Sequence, residues 1–157
     1  MEKIEIRKIE NKNEIPYDLL LLADPSMEVI EEYATRGDVY GGFIGNSIIG
    51  AYVLIKTRPA TLELVNISIC DEYQGKGIGK LLIYDAIDKA KMQGVKTLEV
   101  GTGNSSITQL AFYQKCGFRI TGVDRDFFKK HYEEKIIENG IECVDMIRMS
   151  MEIYKEE

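Results

Sequence analysis

Glu72-Tyr73-Gln74-Gly75-Lys76-Gly77-Ile78-Gly79-Lys80 is the stretch that decides how this chain is read. An apolar, strand-like run, Leu62 to Ile69, precedes it, and a strongly helical run, Ile78 to Gln93, follows. Gly75, Gly77 and Gly79 at a strand-to-helix junction let the main chain come very close to a ligand. The helix N-terminus there presents free N–H groups and a positive dipole end. Lys76 and Lys80 flank those groups, and no acid follows Glu72. Together these residues predict an anion cradle suited to a phosphorylated cofactor.

Working outward, the 157 residues are the size of one ordinary domain. A hydrophobic fraction of 45% with 29% charged residues is that of a globular chain. The formal net charge of −6 argues against a general nucleic-acid binder, which needs a basic surface for phosphates. The N-terminal Met1-Glu2-Lys3-Ile4-Glu5-Ile6-Arg7 alternates charge with isoleucine and has no signal-peptide core. No segment approaches the ~18 apolar residues needed to cross a bilayer. Cys70, Cys116 and Cys143 are scattered, odd in number and without CxxC spacing, so neither a metal site nor a disulfide framework is expected. A cytoplasmic protein with no membrane partner is the expectation.

The element pattern is that of a single mixed α/β domain over residues 1–157. Lys3 to Ile9 alternates like a strand, and short helices follow near Pro16–Leu22 and from Ser26, its cap, to Thr35. Val39–Ile44 and Ile48–Lys56 read as a hairpin around Gly45-Asn46-Ser47. In Leu62–Ile69 the apolar phase slips: Leu62 and Leu64 share one phase, while Val65, Ile67 and Ile69 share the other. Either a β-bulge at Leu64–Val65 puts all five on one face, with Glu63, Asn66 and Ser68 opposite, or the strand is buried on both sides. After the helix that Gly94 ends, Lys96–Val100 is a strand and Gly101-Thr102-Gly103-Asn104 a loop. Ser106 and Gln109 form a capping box for a helix to Cys116. Phe118–Val123 and Glu142–Ile153 complete the strands around a charged, aromatic segment, Asp124 to Asn139.

Two other phosphate motifs fail on spacing. A P-loop needs GxxxxGK[ST], but Leu81 follows Gly79-Lys80, so the magnesium-binding hydroxyl is missing. The dinucleotide fingerprint is GxGxxG, whereas this loop is GxGxG and lies mid-chain. The spacing Gln74-x-x-Gly77-x-Gly79 resembles instead the acetyl-CoA signature of the GNAT N-acetyltransferase superfamily. A second segment, Asn104-Ser105-Ser106 followed by Ala111-Phe112-Tyr113-Gln114-Lys115-Cys116-Gly117-Phe118, resembles that family's Asn…Ala-x-x-x-Tyr-x-x-x-Gly-Phe element. Gln74 stands where arginine is commoner, and the loop stays intact.

The resemblance implies a GNAT fold. Its mixed sheet would have about seven strands, splayed between the fourth and fifth, with about four helices. It implies acetyl-CoA as the donor and no metal. The pyrophosphate would lie on the backbone amides of Gln74, Gly75, Lys76, Gly77, Ile78, Gly79 and Lys80. The pantetheine arm would pair with the main chain of Ile67, Ser68 and Ile69, and Asn104 and Ser106 would face it across the splay. Tyr113 is implied as the general acid for the leaving thiolate. Glu63, six residues before Ile69, is the candidate base, with a water chain as the alternative. The activity implied is acetyl transfer to a primary amine of a small molecule or peptide, by direct attack in a ternary complex. A non-catalytic acyl-CoA-binding domain is the other reading, and a homodimer fits the resemblance. His131, the one histidine, is expected to pack or lie at the surface. Phe127, Phe128 and Tyr132 either line an acceptor pocket or pack in the core. Asp126, Glu133 and Glu134 read as a solvated charge run.

Overall fold

The computed structural model of the protein describes residues 3–153. Five antiparallel pairs and one parallel pair join seven strands into one sheet. In spatial order these are β1 (Glu5–Lys8), β2 (Asp38–Ile44), β3 (Ser47–Arg58), β4 (Thr61–Ile69), β5 (Thr97–Gly103), β9 (Met146–Glu152) and β6 (Arg119–Asp124). β7 (Ile137–Glu138) and β8 (Ile141–Glu142) form a separate two-stranded ribbon. The parallel pair is β4 with β5.

Side-chain alternation along β3 builds two cores, because successive residues point to opposite faces. Tyr52 and Leu54 face α3 (Ile78–Met92) and α4 (Ile107–Lys115), in a core with Leu62, Leu64, Leu82, Leu98 and Phe118. Ala51, Val53 and Ile55 face α1 (Tyr17–Leu20) and α2 (Met27–Arg36), in a core with Leu20, Ile30 and Tyr33. Helix α3 buries Ile78, Leu82, Ile83, Ala86 and Ala90, the stripe its periodicity predicts. Truncating Leu82, which is fully buried, to alanine is expected to cost about 2–5 kcal/mol. Ser26 caps α2 through a bond from the Val29 N–H to its Oγ (3.2 Å).

The feature that positions the site is the separation of β4 from β5. They pair over four rungs, from Thr61–Thr97 to Leu64–Val100, and β4 then runs on to Ile69 without β5. The separation begins at a bulge: β3 pairs Leu54 with Leu64 and Val53 with Asn66, leaving Val65 as the extra residue. A bulge at Leu64–Val65 bends the strand, as the phase slip predicts. Its sorting of side chains differs from the expectation at one residue. Leu62, Leu64, Ile67 and Ile69 face the α3 core, but Val65 packs on the α1–α2 side with Asn66. The unpaired bulge residue takes the second face because it is not forced into the ladder's alternation.

Two other local expectations are corrected. Ser106 stands at the N-cap of α4 but makes no side-chain cap, because its Oγ donates to Glu138 Oε1 (2.9 Å) instead. The last strand is not continuous from Glu142: Glu142 ends β8, and β9 begins only at Met146. The segment 124–139 is also more structured than a charge run suggests, for it holds the short helix α5 (Phe127–His131) and β7.

Candidate active site

The glycine loop folds as a cradle at the start of α3. Gly75 and Gly77 have φ of +76° and +81°, values that L side chains resist, and an added Cβ at either would meet open space. Gly77 is the N-cap of α3, with no side-chain cap and no acid in the first turn. The first main-chain bond runs from Leu81 N–H to Gly77 O (3.3 Å), which leaves the N–H groups of Ile78, Gly79 and Lys80 without an intrahelical acceptor. The side chain of Gln74 does not point outward. Its Nε2 donates to Ile69 O (3.0 Å) and Asp71 Oδ1 (3.2 Å), tying the loop to the end of β4. Lys76 and Lys80 are exposed above the rings of Tyr73 and Tyr84, at 5.4 and 5.7 Å.

Beyond its bulge, β4 offers a free main-chain edge. Cys70 N–H donates to Ile49 O on the β3 side (2.9 Å), which sets the ladder phase. By the alternation of an antiparallel pair, Ser68 turns its main chain to β3, while Ile67 and Ile69 turn theirs into the splay. Ser68 also spends its hydroxyl on Asn66 Oδ1 (2.7 Å). Asn104 likewise serves its own chain. Its Oδ1 accepts from the N–H groups of Val144 (2.8 Å) and Asp145 (3.0 Å), and its Nδ2 donates to Glu142 O (3.1 Å). That clamp holds the segment before β9 against the end of β5.

On the other side of the splay lies a cavity of ≈ 430 Å³. Both Glu63 and Tyr113 line it, whereas none of residues 74–80 does. Tyr113 comes from α4, its ring edge-on to Phe118 (centroids 5.9 Å apart), and burial pushes its phenol well above the usual range. The side chain of Glu63 is 14% exposed, and burial pushes its carboxyl up. Arg148, with Nη1 3.5 Å from Glu63 Oε2, opposes that rise, while the neighbouring Glu99 adds to it. A group held this way is a carboxylate with an affinity for protons above that of a free side chain, the property a general base needs. Ser106, Phe127, Phe128 and Tyr132 also line the cavity. His131 packs at a tilt against Phe127 (ring centroids 4.6 Å apart) at the surface, and Asp126, Glu133 and Glu134 are exposed.

Sequence reasoning missed the polar network in the cavity's opposite wall. Asp24 accepts from Tyr33 (3.0 Å), Tyr132 (2.9 Å) and the Ser26 N–H (3.1 Å). Asn66 donates to the Tyr33 oxygen (2.8 Å) and to Leu20 O (3.0 Å). This network joins the α1–α2 connection, β4 and the segment after α5. Burial pushes both phenols up, and the Asp24 charge adds to it. Two of its members carry a sequence signal: Asn66, a polar residue in an apolar strand, and Tyr132, an aromatic residue in the charged segment. Among the described residues no group of three His, Cys, Asp or Glu is placed to hold a metal, and no helix is long and apolar enough to cross a membrane.

This geometry has close counterparts. The chain is 54% identical to the uncharacterized N-acetyltransferase YvbK of Bacillus subtilis, covering 98% of this chain and 99% of that one. A solved IAA acetyltransferase from Bacillus cereus superposes with a TM-score of 0.91 at 57% identity, covering 96% and 99% of the two chains. A GNAT family acetyltransferase from Elizabethkingia anophelis, solved with acetyl-CoA bound, superposes at 0.93 with 50% identity, covering 97% and 99%. Residues 6–118 match the acetyltransferase (GNAT) family as a whole. The uncapped helix terminus, the bulged and splayed β4 and these matches agree, and the chain belongs to the acetyltransferase (GNAT) family.

Proposed function

We propose that the protein is an acetyl-CoA-dependent N-acetyltransferase that acts on a primary amine by direct attack in a ternary complex. The observation that carries this reading is the placement of Glu63 and Tyr113 on one cavity beside the open edge of β4. The acetyl-CoA bound to the Elizabethkingia relative supports the choice of donor. In this reading the N–H groups of residues 74–80 hold the pyrophosphate. The main chains of Ile67 and Ile69 pair with the pantetheine arm as an added strand would. Asn104 and Ser106 shape the facing wall.

The donor supplies an activated acyl carbon and a sulfur leaving group. Every proton is handled by the chain. An alkyl ammonium, with pKa about 10.4, has no lone pair at neutral pH, so Glu63 takes its proton directly or through a water. The amine nitrogen then forms the C–N bond as the C–S bond breaks; Tyr113 gives the sulfur its proton, the second proton that the nitrogen sheds as the amide forms restores the phenol, and the proton on Glu63 leaves to solvent. The Ile69 N–H faces the splay, where it can hold the carbonyl oxygen as that oxygen gains charge. The products are the N-acetylated acceptor and free CoA. Acceptors in reach are small molecules or peptides with an amine; nucleic acid and membrane are excluded from the proposal. The proposed setting is the cytoplasm, and the chain is proposed to work alone or as a homodimer.

The test is incubation with acetyl-CoA and an amine panel while free thiol is followed. Thiol release that depends on the amine is the expected result. CoA binding with no thiol release from any amine would leave only a binding module.

A further inference from the structure

Three guanidinium groups surround Glu63, and they differ in how they are spent. Arg58 is paired closely with Glu99, and Arg36 with Glu32 (2.6 Å). Arg148 has only long contacts, 3.5 Å to Glu63 and 3.4 Å to Asp124. Its side chain is 29% exposed, and it lines the cavity with its guanidinium 5.4 Å from the centre of the Phe127 ring. A guanidinium carries five N–H donors in a planar fork. Two contacts at the limit of hydrogen-bond length leave most of that fork unused. The backbone makes room for it: a Cβ on Gly101 would stand 3.3 Å from Arg148 Nη1 and 2.6 Å from Met146 Sδ.

Resting on the acetyltransfer reading, we infer that Arg148 binds a carboxylate of the acceptor, and that the acceptor class is free amino acids. An unspent fork beside an aromatic ring suits the two parallel bonds a carboxylate accepts. With the amine on Glu63 itself, the short span from Arg148 Nη1 to Glu63 Oε2 places the acceptor's anion and its reacting amine one or two carbons apart. In a peptide the α-carboxyl of the N-terminal residue is an amide, so apart from an N-terminal aspartate no peptide offers a carboxylate at that spacing. The carboxylate replaces the loose Glu63 contact of Arg148, so Glu63 loses its nearest cation when the acceptor is in place and becomes a stronger base.

The experiment compares thiol release with the eighteen amino acids other than cysteine and proline against the same amino acids as carboxamides. The amides have the less basic amines, a difference that is the same for every enzyme variant, so the ratio in wild type is read against the ratio in the Arg148 variants. In wild type, kcat/KM is expected to favour the best acid over its amide by roughly ten- to a hundredfold, the size of a charge-assisted hydrogen bond. Arg148→Gln should bring that ratio to within about twofold of one, chiefly through KM of the acid, while Arg148→Lys keeps part of it. The change that Arg148→Gln makes at Glu63 in the free enzyme enters both members of a pair and cancels in the ratio, whereas the change that the bound carboxylate makes enters only the acid and is part of the ratio. Gly101→Ala, which crowds Arg148, should lower the ratio without removing the guanidinium. Amides used as well as acids, or a ratio unchanged in Arg148→Gln, overturn the inference and leave the acetyltransferase intact. Thiol release from none of the thirty-six amines overturns the acetyltransfer reading, and this inference with it.

Discussion

The two ends of the splay are built in different ways. The proposed donor end is one contiguous piece of chain, Ile69 through Lys80, whose polar contacts are local: Gln74 to Ile69 and Asp71, and an uncapped helix start at Gly77. The proposed acceptor end is assembled from distant stretches. Asp24 and Tyr33 lie in the first quarter of the chain, Glu63 and Asn66 on β4, Tyr113 on α4, and Tyr132 and Arg148 near the end. Tyr132 reaches Asp24 across 108 residues. In the proposed reading the site made of local geometry is the cofactor handle. A site made of long-range contacts can change its ligand by changing single residues in separate elements.

That contrast predicts different losses at the two ends. The largest is expected at Tyr113. Tyr113→Phe should lower kcat by about 10²–10⁴-fold, the range for general acid–base groups, with CoA affinity within about twofold by calorimetry. An equal fall in both would move Tyr113 from chemistry to donor binding.

Glu63→Gln should lower kcat at neutral pH and be partly rescued as the pH rises and the amine deprotonates unaided. In wild type the acid limb of the rate profile should lie above the ordinary carboxylate range, because burial raises the Glu63 pKa. The sign for stability runs the other way from activity. A carboxyl whose folded pKa exceeds its unfolded one stabilises the fold below the unfolded value, and that stability is lost as pH rises through the folded value. Thermal melts of wild type and Glu63→Gln should therefore diverge over that window, with the variant gaining relative to wild type as pH rises.

At the donor end, Gly77→Val puts a β-branched side chain at φ +81° and over the cradle. CoA affinity should fall at least about tenfold, and the fold should lose about 1–3 kcal/mol. The smallest effect is expected in the shared wall. Tyr132→Phe removes one of three donors to Asp24 and should cost about 1–3 kcal/mol. That is a drop of several degrees in Tm for a chain of this size, at about 2–4 °C per kcal/mol, with CoA affinity unchanged.

The same contrast explains what the sequence made legible. Local devices were readable: the Ser26 cap, the αL glycines, the α3 stripe and the bulge announced by the slip between Leu64 and Val65. Val65 itself was placed on the wrong face, because pattern alone does not say where an unpaired bulge residue points. The Ser106 cap failed because a partner 32 residues away, Glu138, won the hydroxyl. The main chain of Ser68 and the side chain of Asn104 fit the family spacing, yet both are spent within the fold, and only coordinates reveal such spending. The acceptor wall was nearly silent. Asp24 and Tyr33 look like ordinary surface-helix and loop residues until tertiary contact buries them, and of the network only Asn66 and Tyr132 stand out in the sequence. Arg148 had a faint signal, a lone cation inside the apolar run Met146–Met151.

The division of labour between the two ends is tested most directly by thiol release measured against acetyl-CoA concentration in Gly77→Val and Glu63→Gln side by side. The Gly77 variant should shift to higher half-saturation and recover the wild-type plateau. The Glu63 variant should keep its half-saturation and lose its plateau. A depressed plateau in Gly77→Val, or a shifted half-saturation with full plateau in Glu63→Gln, would contradict the assignment of donor binding to the loop and chemistry to the splay.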